Sequence, residues 1–286
     1  MPGDAAGAYR RLHWDVQRHW PALQALLPGL TIEVLASVDS TNDRLLARTQ
    51  RREGAVAWGR RSADLQPCLL VAERQTAGRG RRGRRWLAEP GASLTFSLAL
   101  MLEPGSWSGL SLAVGVALAD ALDPATDTAP RIGLKWPNDL WLIDAPGRGR
   151  KLGGILVETV PVPGGRLAVI GIGLNVRPLP ATADHASGYA CLQELQPQRE
   201  APAALWQVVR PLVLALQRFE AEGLAPSLAA YARRDLLAGQ AVQTTDPAVP
   251  EGIAAGIDAD GALCIRAGGG LHRLVGGEVS VRPAGG

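Results

Sequence analysis

The segment Glu73–Trp86 holds six arginines within twelve positions, Arg74, Arg79, Arg81, Arg82, Arg84 and Arg85, interleaved with Gly78, Gly80 and Gly83. Glycine leaves the backbone mobile and guanidinium groups make planar, forked hydrogen bonds, so such a loop suits folding over a phosphate and a carboxylate. The glycines match G-x-G-x-x-G, but a dinucleotide fingerprint must open a helix. This loop runs instead into Ala88–Gly91 and then a strand-like stretch, and no Walker-type lysine follows. Standing alone, it would read first as a solvated basic loop or an RNA-binding arginine tract.

Four further segments carry polar groups at element ends. Asp39-Ser40-Thr41-Asn42 offers hydroxyls and an amide at a helix start, where most such tetrads serve only as caps. Lys135-Trp136-Pro137-Asn138-Asp139 sets a cation, an amide and a carboxylate around a proline-fixed bend. Lys151-Leu152-Gly153-Gly154 places a lysine before paired glycines that permit close backbone approach, and an apolar strand to Glu158 follows. Gly171–Asn175 ends another strand with an amide. Together they supply what activation of a carboxylate by ATP requires: cations for phosphates, a carboxylate, and polar groups to read a base and a substrate.

Composition singles out the same residues. Lys135 and Lys151 are the only lysines among 30 basic residues, and Asn42, Asn138 and Asn175 the only asparagines. In a chain rich in Ala, Gly, Arg and Pro, these five are candidates for positions where the side chain's own chemistry is needed, since a lysine point charge and an arginine fork are not equivalent at a tight site.

The 286 residues, 47% hydrophobic and 20% charged, suit one large domain with or without a small one, and a sizeable core. The net charge of +3 is concentrated in the arginine loop, which points to a small anionic ligand rather than to nucleic acid as the main partner. Cys68, Cys191 and Cys264 are scattered and odd in number, so neither a disulfide framework nor a zinc site is supported. The N-terminus has no signal pattern and no apolar run is long enough to span a bilayer, which makes the expected location the cytoplasm.

These segments need elements to hold them. Periodicity predicts helices over Ala8–Leu27, from Ser40 or Thr41 to about Arg52, over Gly109–Leu122, Ala203–Ala221 (kinked or interrupted at Pro211) and Ser227–Leu236. Strands are expected at Thr31–Ala36, Cys68–Glu73, Ala92–Leu102, Gly133–Ile143, Leu152–Val160 and Arg166–Leu174, with Pro178–Arg199 irregular. After Gly239, five short alternating segments separated by turn dipeptides indicate a small meander or barrel. The fold class is therefore α+β: a mixed-sheet domain over 1–237 and a small all-β domain over 238–286.

The order DSTN, QTAGRGRRGRRW, KWPNDL, KLGGILVE, GIGLN resembles the biotin–[acetyl-CoA-carboxylase] ligases, over about Thr31 to Arg282. The resemblance implies a catalytic domain related to class II tRNA synthetases and a C-terminal SH3-like β-barrel. It implies that biotin and ATP form biotinyl-5′-AMP, and that biotin then passes to a lysine of a biotin carboxyl carrier domain. By position, Ser40, Thr41, Asn42 and Gln75 line the biotin pocket, Gly78 and Arg79 close over the ureido ring, and Gly80 and Arg81 belong to the same loop. Arg81 and Arg84 face the phosphate, Trp86 packs on or near the adenine, and Lys151 meets the biotin carboxyl and the adenylate phosphate. Asn138 is a nucleotide-site group, Asn175 a reader of adenine, and Asp139 the residue that orients or deprotonates the carrier lysine. Mg²⁺ is expected on the ATP phosphates, with no metal assigned to protein side chains.

Family members that also repress transcription carry an N-terminal winged helix, and too few residues precede Ser40 for one, so the expectation is a monofunctional ligase without DNA binding, as a monomer or weak homodimer. No role is assigned to Ala57–Pro67. The rival readings are a lipoate–protein ligase, a nucleic-acid-binding protein and, disfavoured by the loop's context, a dinucleotide oxidoreductase.

Overall fold

A computed structural model of the chain describes residues 12–49, 65–124, 129–179, 188–275 and the backbone of 281–283. Most of segment 57–67 lies outside these residues. The larger sheet has seven strands in the order β1-β2-β3-β7-β6-β5-β4. They are β1 (Thr31–Leu35), β2 (Cys68–Ala72), β3 (Ser93–Met101), β4 (Ile132–Lys135), β5 (Asp139–Ala145), β6 (Arg148–Val162) and β7 (Gly165–Asn175). β1 and β2 run parallel and every other pair is antiparallel, so the sheet is mixed.

Side chains of a strand alternate between faces, and that alternation builds the two sides of this sheet. On β3, Leu94, Phe96, Leu98 and Leu100 enter the main core, and so do Ala168, Ile170, Ile172 and Leu174 of β7. Covering them are α1 (Val16–Leu26), α3 (Leu110–Leu122), α4 (Ala201–Glu222) and α5 (Leu228–Arg234), all of which contribute to the same cluster. On the other face, Ala99, Leu167 and Val169 form a small cluster with Leu45 of α2 (Thr41–Leu46). Beyond that cluster the same face carries Ser97, Gly171, Gly173 and Asn175, and it is there that a cavity opens.

The C-terminal sheet is antiparallel, β11-β10-β9-β8-β12, from β8 (Ala241–Thr244), β9 (Glu251–Ile257), β10 (Leu263–Ala267), β11 (Gly270–Leu274) and β12 (Val281–Pro283). It docks on the larger unit through its Asp258–Gly261 turn. Trp136 Nε1 donates to Gly261 O at 3.0 Å, and a Cβ on Gly261 would lie 3.0 Å from Gly109, Leu112 and Leu224.

Four sequence expectations require correction. The stretch expected as one strand, Gly133–Ile143, is the hairpin β4–β5, with a cis peptide between Trp136 and Pro137 in its turn. α1 begins at Val16 because Asp15 takes a left-handed backbone conformation (φ 46°), and the expected start at Ala8 lies outside the described residues. α2 ends at Leu46 and tightens into a 3-10 turn over Ala47–Thr49 rather than running to Arg52. α4 continues through Pro211 uninterrupted: Val208, Val209, Leu212 and Val213 are all buried on either side of it, and that packing outweighs one missing backbone hydrogen bond.

Candidate active site

The cavity on the open face of the sheet measures about 560 Å³. Its lining includes Ser40, Thr41, Asn42, Gln75, Arg79, Gly80, Arg81, Arg84, Trp86, Asn138, Asp139, Lys151 and Asn175. Of the residues that the family resemblance placed in the site, Gly78 alone is not part of that lining. It sits at the neck of the arginine loop, where its carbonyl accepts from Trp86 N at 2.8 Å and a Cβ would lie 2.6 Å from Trp86 O.

Ser40 caps α2, its hydroxyl accepting from Asp43 N at 3.3 Å. The cap fixes the next two residues. Thr41 N donates to Gln75 Oε1 at 2.7 Å, and the Thr41 hydroxyl is 3.1 Å from the same oxygen, so the side-chain group that Gln75 has left to offer a ligand is its amide nitrogen. Ser97, fully buried on β3, lies 2.6 Å from both Thr41 Oγ1 and Asn42 Oδ1. The Asn42 oxygen can only accept, so the Ser97 proton goes to it and the Thr41 hydroxyl donates to Ser97.

The arginine loop is a finger closed at its base. Gly80 N donates to Arg84 O at 2.6 Å and a 3-10 turn spans Arg81–Gly83, with Arg82 at φ 59°. Arg79 reaches Asp43 and Glu158, the latter at 3.0 Å, while Arg81 Nη1 donates to Asn138 Oδ1 at 3.2 Å. Burial pushes the Arg81 guanidinium below its ordinary value, and nearby Asp139 pulls it back up. Trp86 lies against the backbone of β7, where a Cβ on Gly173 would overlap its indole ring. Gly171, two residues earlier on the same face, makes room for Asn42 in the same way.

Lys151 Nζ lies 2.8 Å from Asp139 Oδ1, and 6.0 Å over the Trp86 ring centre. Strand pairing explains how the two charges meet. Leu140 pairs with Gly153 but Trp141 with Lys151, so Leu152 is an extra residue on β6, a bulge. The bulge reverses the alternation: Lys151 and Gly154 share the cavity face, and a Cβ on Gly154 would lie 3.7 Å from Lys151 Nζ and 3.4 Å from Asp139 Oδ1. Asn138 Nδ2 donates to Ile155 O at 2.8 Å, which leaves its oxygen to Arg81. Asn175 Nδ2 donates to Lys151 O at 3.1 Å and Ala190 O at 3.0 Å, so Asn175 clamps the Lys151 strand and offers a ligand its Oδ1.

Sequence reasoning assigned no role to several residues of this wall. Lys135 and Trp141 both line the cavity, with Lys135 Nζ 4.2 Å from the centre of the Trp141 ring. Lysine scarcity was the available signal for Lys135. Tyr189 also lines the cavity and pairs with Lys151; its hydroxyl donates to Arg177 O at 2.6 Å, and burial pushes its phenol well above the ordinary value. Nothing in the sequence distinguished it.

The bifunctional ligase/repressor BirA of Escherichia coli K12 is 36% identical over 264 residues, which cover 90% of this chain and 76% of that protein. The chain belongs to the biotin–protein ligase family. Residues 38–176 match the biotin/lipoate A/B protein ligase family, and residues 239–282 the biotin protein ligase C terminal domain. A biotin–[acetyl-CoA-carboxylase] ligase of Mycobacterium tuberculosis is 36% identical, covering 87% of this chain and 88% of that one. In structure, the biotin protein ligase of Aquifex aeolicus solved in complex with biotin and ATP superposes with a TM-score of 0.70 at 27% identity, over 89% of this chain and 99% of that one. The chain is thus an enzyme, a ligase of the biotin-dependent, ATP-binding kind, with an α+β fold of mixed sheet and small C-terminal antiparallel sheet. Among the described residues no helix is long and apolar enough to cross a membrane.

Proposed function

We propose that this ligase joins biotin to ATP as biotinyl-5′-AMP and then transfers the biotin to one lysine of a biotin carboxyl carrier domain. The observation that carries this reading is that one cavity is lined both by Arg81, Arg84 and Lys151 with Asn138 and Asp139, and by the hydrogen-bonding set Ser40, Thr41, Asn42 and Gln75.

A carboxylate is a poor electrophile, and its attack on the α-phosphorus of ATP brings two anions together. The carboxylate oxygen forms the new P–O bond while the bond to pyrophosphate breaks. Arg81, Arg84 and Lys151 neutralise the charge that gathers, which preorganised donors do without reorganisation cost. Lys151 turns from Asp139 to the carboxyl and phosphate oxygens, and Asp139 is then free to meet the next reactant. Trp86 covers the adenine, whose amino group Asn175 Oδ1 accepts. Magnesium is expected on the phosphate oxygens of ATP, with no protein side chain assigned to it, because the Asn138 oxygen accepts from Arg81 and Asp139 pairs with Lys151. When bound, such an ion supplies further neutralisation of phosphate charge.

In the second step the carrier lysine attacks the mixed anhydride, the amide bond forms, and AMP leaves. The attacking amine must lose a proton, and Asp139 accepts it. Gly78 acts indirectly, by closing the neck of the loop whose arginines reach the ligand. The finer architecture we read as a class II synthetase-like domain over 1–237 and an SH3-like barrel over 238–286. The expected partner is the carrier domain of acetyl-CoA carboxylase, met in the cytoplasm by a monomer or weak homodimer.

Biotin-dependent exchange of pyrophosphate into ATP, with mass detection of the adenylate, tests this reading. Exchange with biotin and none with lipoate is the expected result; exchange driven by lipoate alone would assign the chain to the other branch of the matched family.

A further inference from the structure

One side chain outside the proposed chemistry joins the cavity floor to the arginine loop. Glu158, on β6 seven residues beyond Lys151, shares the cavity face because of the Leu152 bulge. Its Oε2 accepts from Asn42 Nδ2 at 2.8 Å, and its Oε1 and Oε2 accept from Arg79 Nη2 at 3.0 and 3.1 Å. Asn42 is itself held: Nδ2 also donates to Leu156 O at 3.3 Å, Oδ1 accepts from Ser97, and its amide lies against Gly171. The far end of this chain of bonds is Gln75, through Thr41. A continuous hydrogen-bonded path thus runs from Gln75 at the acid-binding end, through buried Thr41, Ser97 and Asn42, to Glu158 and out to Arg79 at the base of the finger.

Elsewhere in the finger Arg81 reaches Asn138. Arg82, Arg84 and Arg85 are exposed, and Gly80 and Gly83 add no side chain. Of the two carboxylates on Arg79, Asp43 contacts Arg79 from α2, whereas only Glu158 ties Arg79 to the sheet on which Lys151 sits. The nearby carboxylates of Glu158 and Asp43 hold the Arg79 guanidinium above its ordinary value against the opposing effect of burial. A ligand that orders Gln75, Thr41 or Asn42 therefore also orders the acceptor for Arg79.

We infer that Glu158 is a positioning residue, which latches the arginine loop shut over the activated acid by bridging Asn42 in the cavity floor to Arg79. This rests on the adenylate-forming reading proposed above. An adenylate left to solvent is lost to hydrolysis or escape, so what a latch controls is retention rather than bond formation.

The test compares the full-length ligase with Glu158→Gln, which keeps the side chain's length and an acceptor for Asn42 but removes the charge facing Arg79. Enzyme loaded with labelled biotin and ATP is passed through a desalting column, and release of labelled adenylate is followed with time. A half-exposed charge-assisted contact of this kind corresponds to roughly a threefold to tenfold faster release. The KM for biotin is expected to rise by a similar factor, with kcat for pyrophosphate exchange held within about twofold. Arg79→Gln should release the adenylate as fast as Glu158→Gln, and the double variant no faster than Arg79→Gln alone, because the two residues act as one latch. Release within twofold of the unmodified enzyme overturns the inference. So does an equal fall in kcat and thermal midpoint with unchanged KM, which is the mark of a merely structural carboxylate. Absence of biotin-dependent exchange in the unmodified enzyme would instead remove the adenylate reading itself, so the two failures are distinguishable.

Discussion

At the residue scale, Lys151 and Asp139 answer to each other at 2.8 Å, and that contact changes what each substitution should do. Lys151→Arg keeps the charge, but a planar fork cannot take the place of an ammonium that packs over Gly154 and pairs with one carboxylate oxygen. Adenylate formation should fall by about 10²–10³-fold, the usual consequence of losing one preorganised donor. Near-normal pyrophosphate exchange by this variant would also discredit the argument from lysine scarcity. Asp139→Asn separates the half-reactions less cleanly than motif reading suggests, because its loss also frees Lys151. Transfer should still suffer more, by about 10²–10⁴-fold, since proton acceptance from the carrier amine is lost as well. A free lysine titrates near pKa 10.4, so the transfer deficit should shrink as pH rises and more amine arrives neutral. Single-turnover transfer from preformed adenylate, set against exchange, reads the difference; equal losses would reduce Asp139 to a partner for Lys151.

At the scale of elements, the site is a consequence of strand alternation and one interruption of it. On β7 the residues at 171, 173 and 175 face the cavity, and two are glycines because Asn42 and Trp86 occupy the space a Cβ would need. Gly173→Ala should therefore displace Trp86 without touching a charged group. We expect the KM for ATP to rise about tenfold, equivalent to about 1.4 kcal/mol, while the KM for biotin moves much less. Steady-state exchange at varied ATP measures it, and an unchanged ATP KM would mean that Trp86 does not cover the nucleotide. The bulge at Leu152 matters more still. Without it Lys151 and Glu158, an odd number of residues apart, would lie on opposite faces of the sheet.

At the scale of the molecule, two buried polar contacts hold distant parts together. Trp136, in the turn that presents Asn138 and Asp139, is bonded to Gly261 of the C-terminal sheet, so that sheet buttresses the active-site turn. Arg234, 3% exposed at the end of α5, bonds Asp120 at 2.8 Å, Asp123 at 2.9 Å and Ile132 O at 3.0 Å, and so joins α5 to the end of α3 and to the start of β4. Removing one partner of a buried ion pair leaves the other's charge uncompensated. Arg234→Ala should cost about 3–5 kcal/mol, less whatever Asp120, which is partly exposed, recovers from water. Urea unfolding followed by far-ultraviolet dichroism measures this; a loss under about 1 kcal/mol would mean that solvent already screens the pair.

Much of this was legible in the residues themselves. The five motifs, the scarcity of lysine and asparagine and the change of pattern after Gly239 are local properties, and they sufficed for an α+β fold with a small C-terminal sheet, for the biotin-ligase family and for much of the polar part of the cavity lining. The helix start at Ser40 was readable because a cap is decided within four residues. What the sequence could not decide was everything that depends on pairing across the chain. The bend at Pro137 was legible, but not that the strand turns back there to pair with itself, because a bend inside one strand and a hairpin between two carry the same local residues. Tertiary packing carried α4 through Pro211 against its local cost. The Leu152 bulge, the Lys151–Asp139 contact, and the path from Gln75 through Ser97 and Glu158 to Arg79 exist only once β3, β7, β6 and β5 lie side by side. Register sets which side chains share a face, and register is a relation between strands that no single strand's sequence contains.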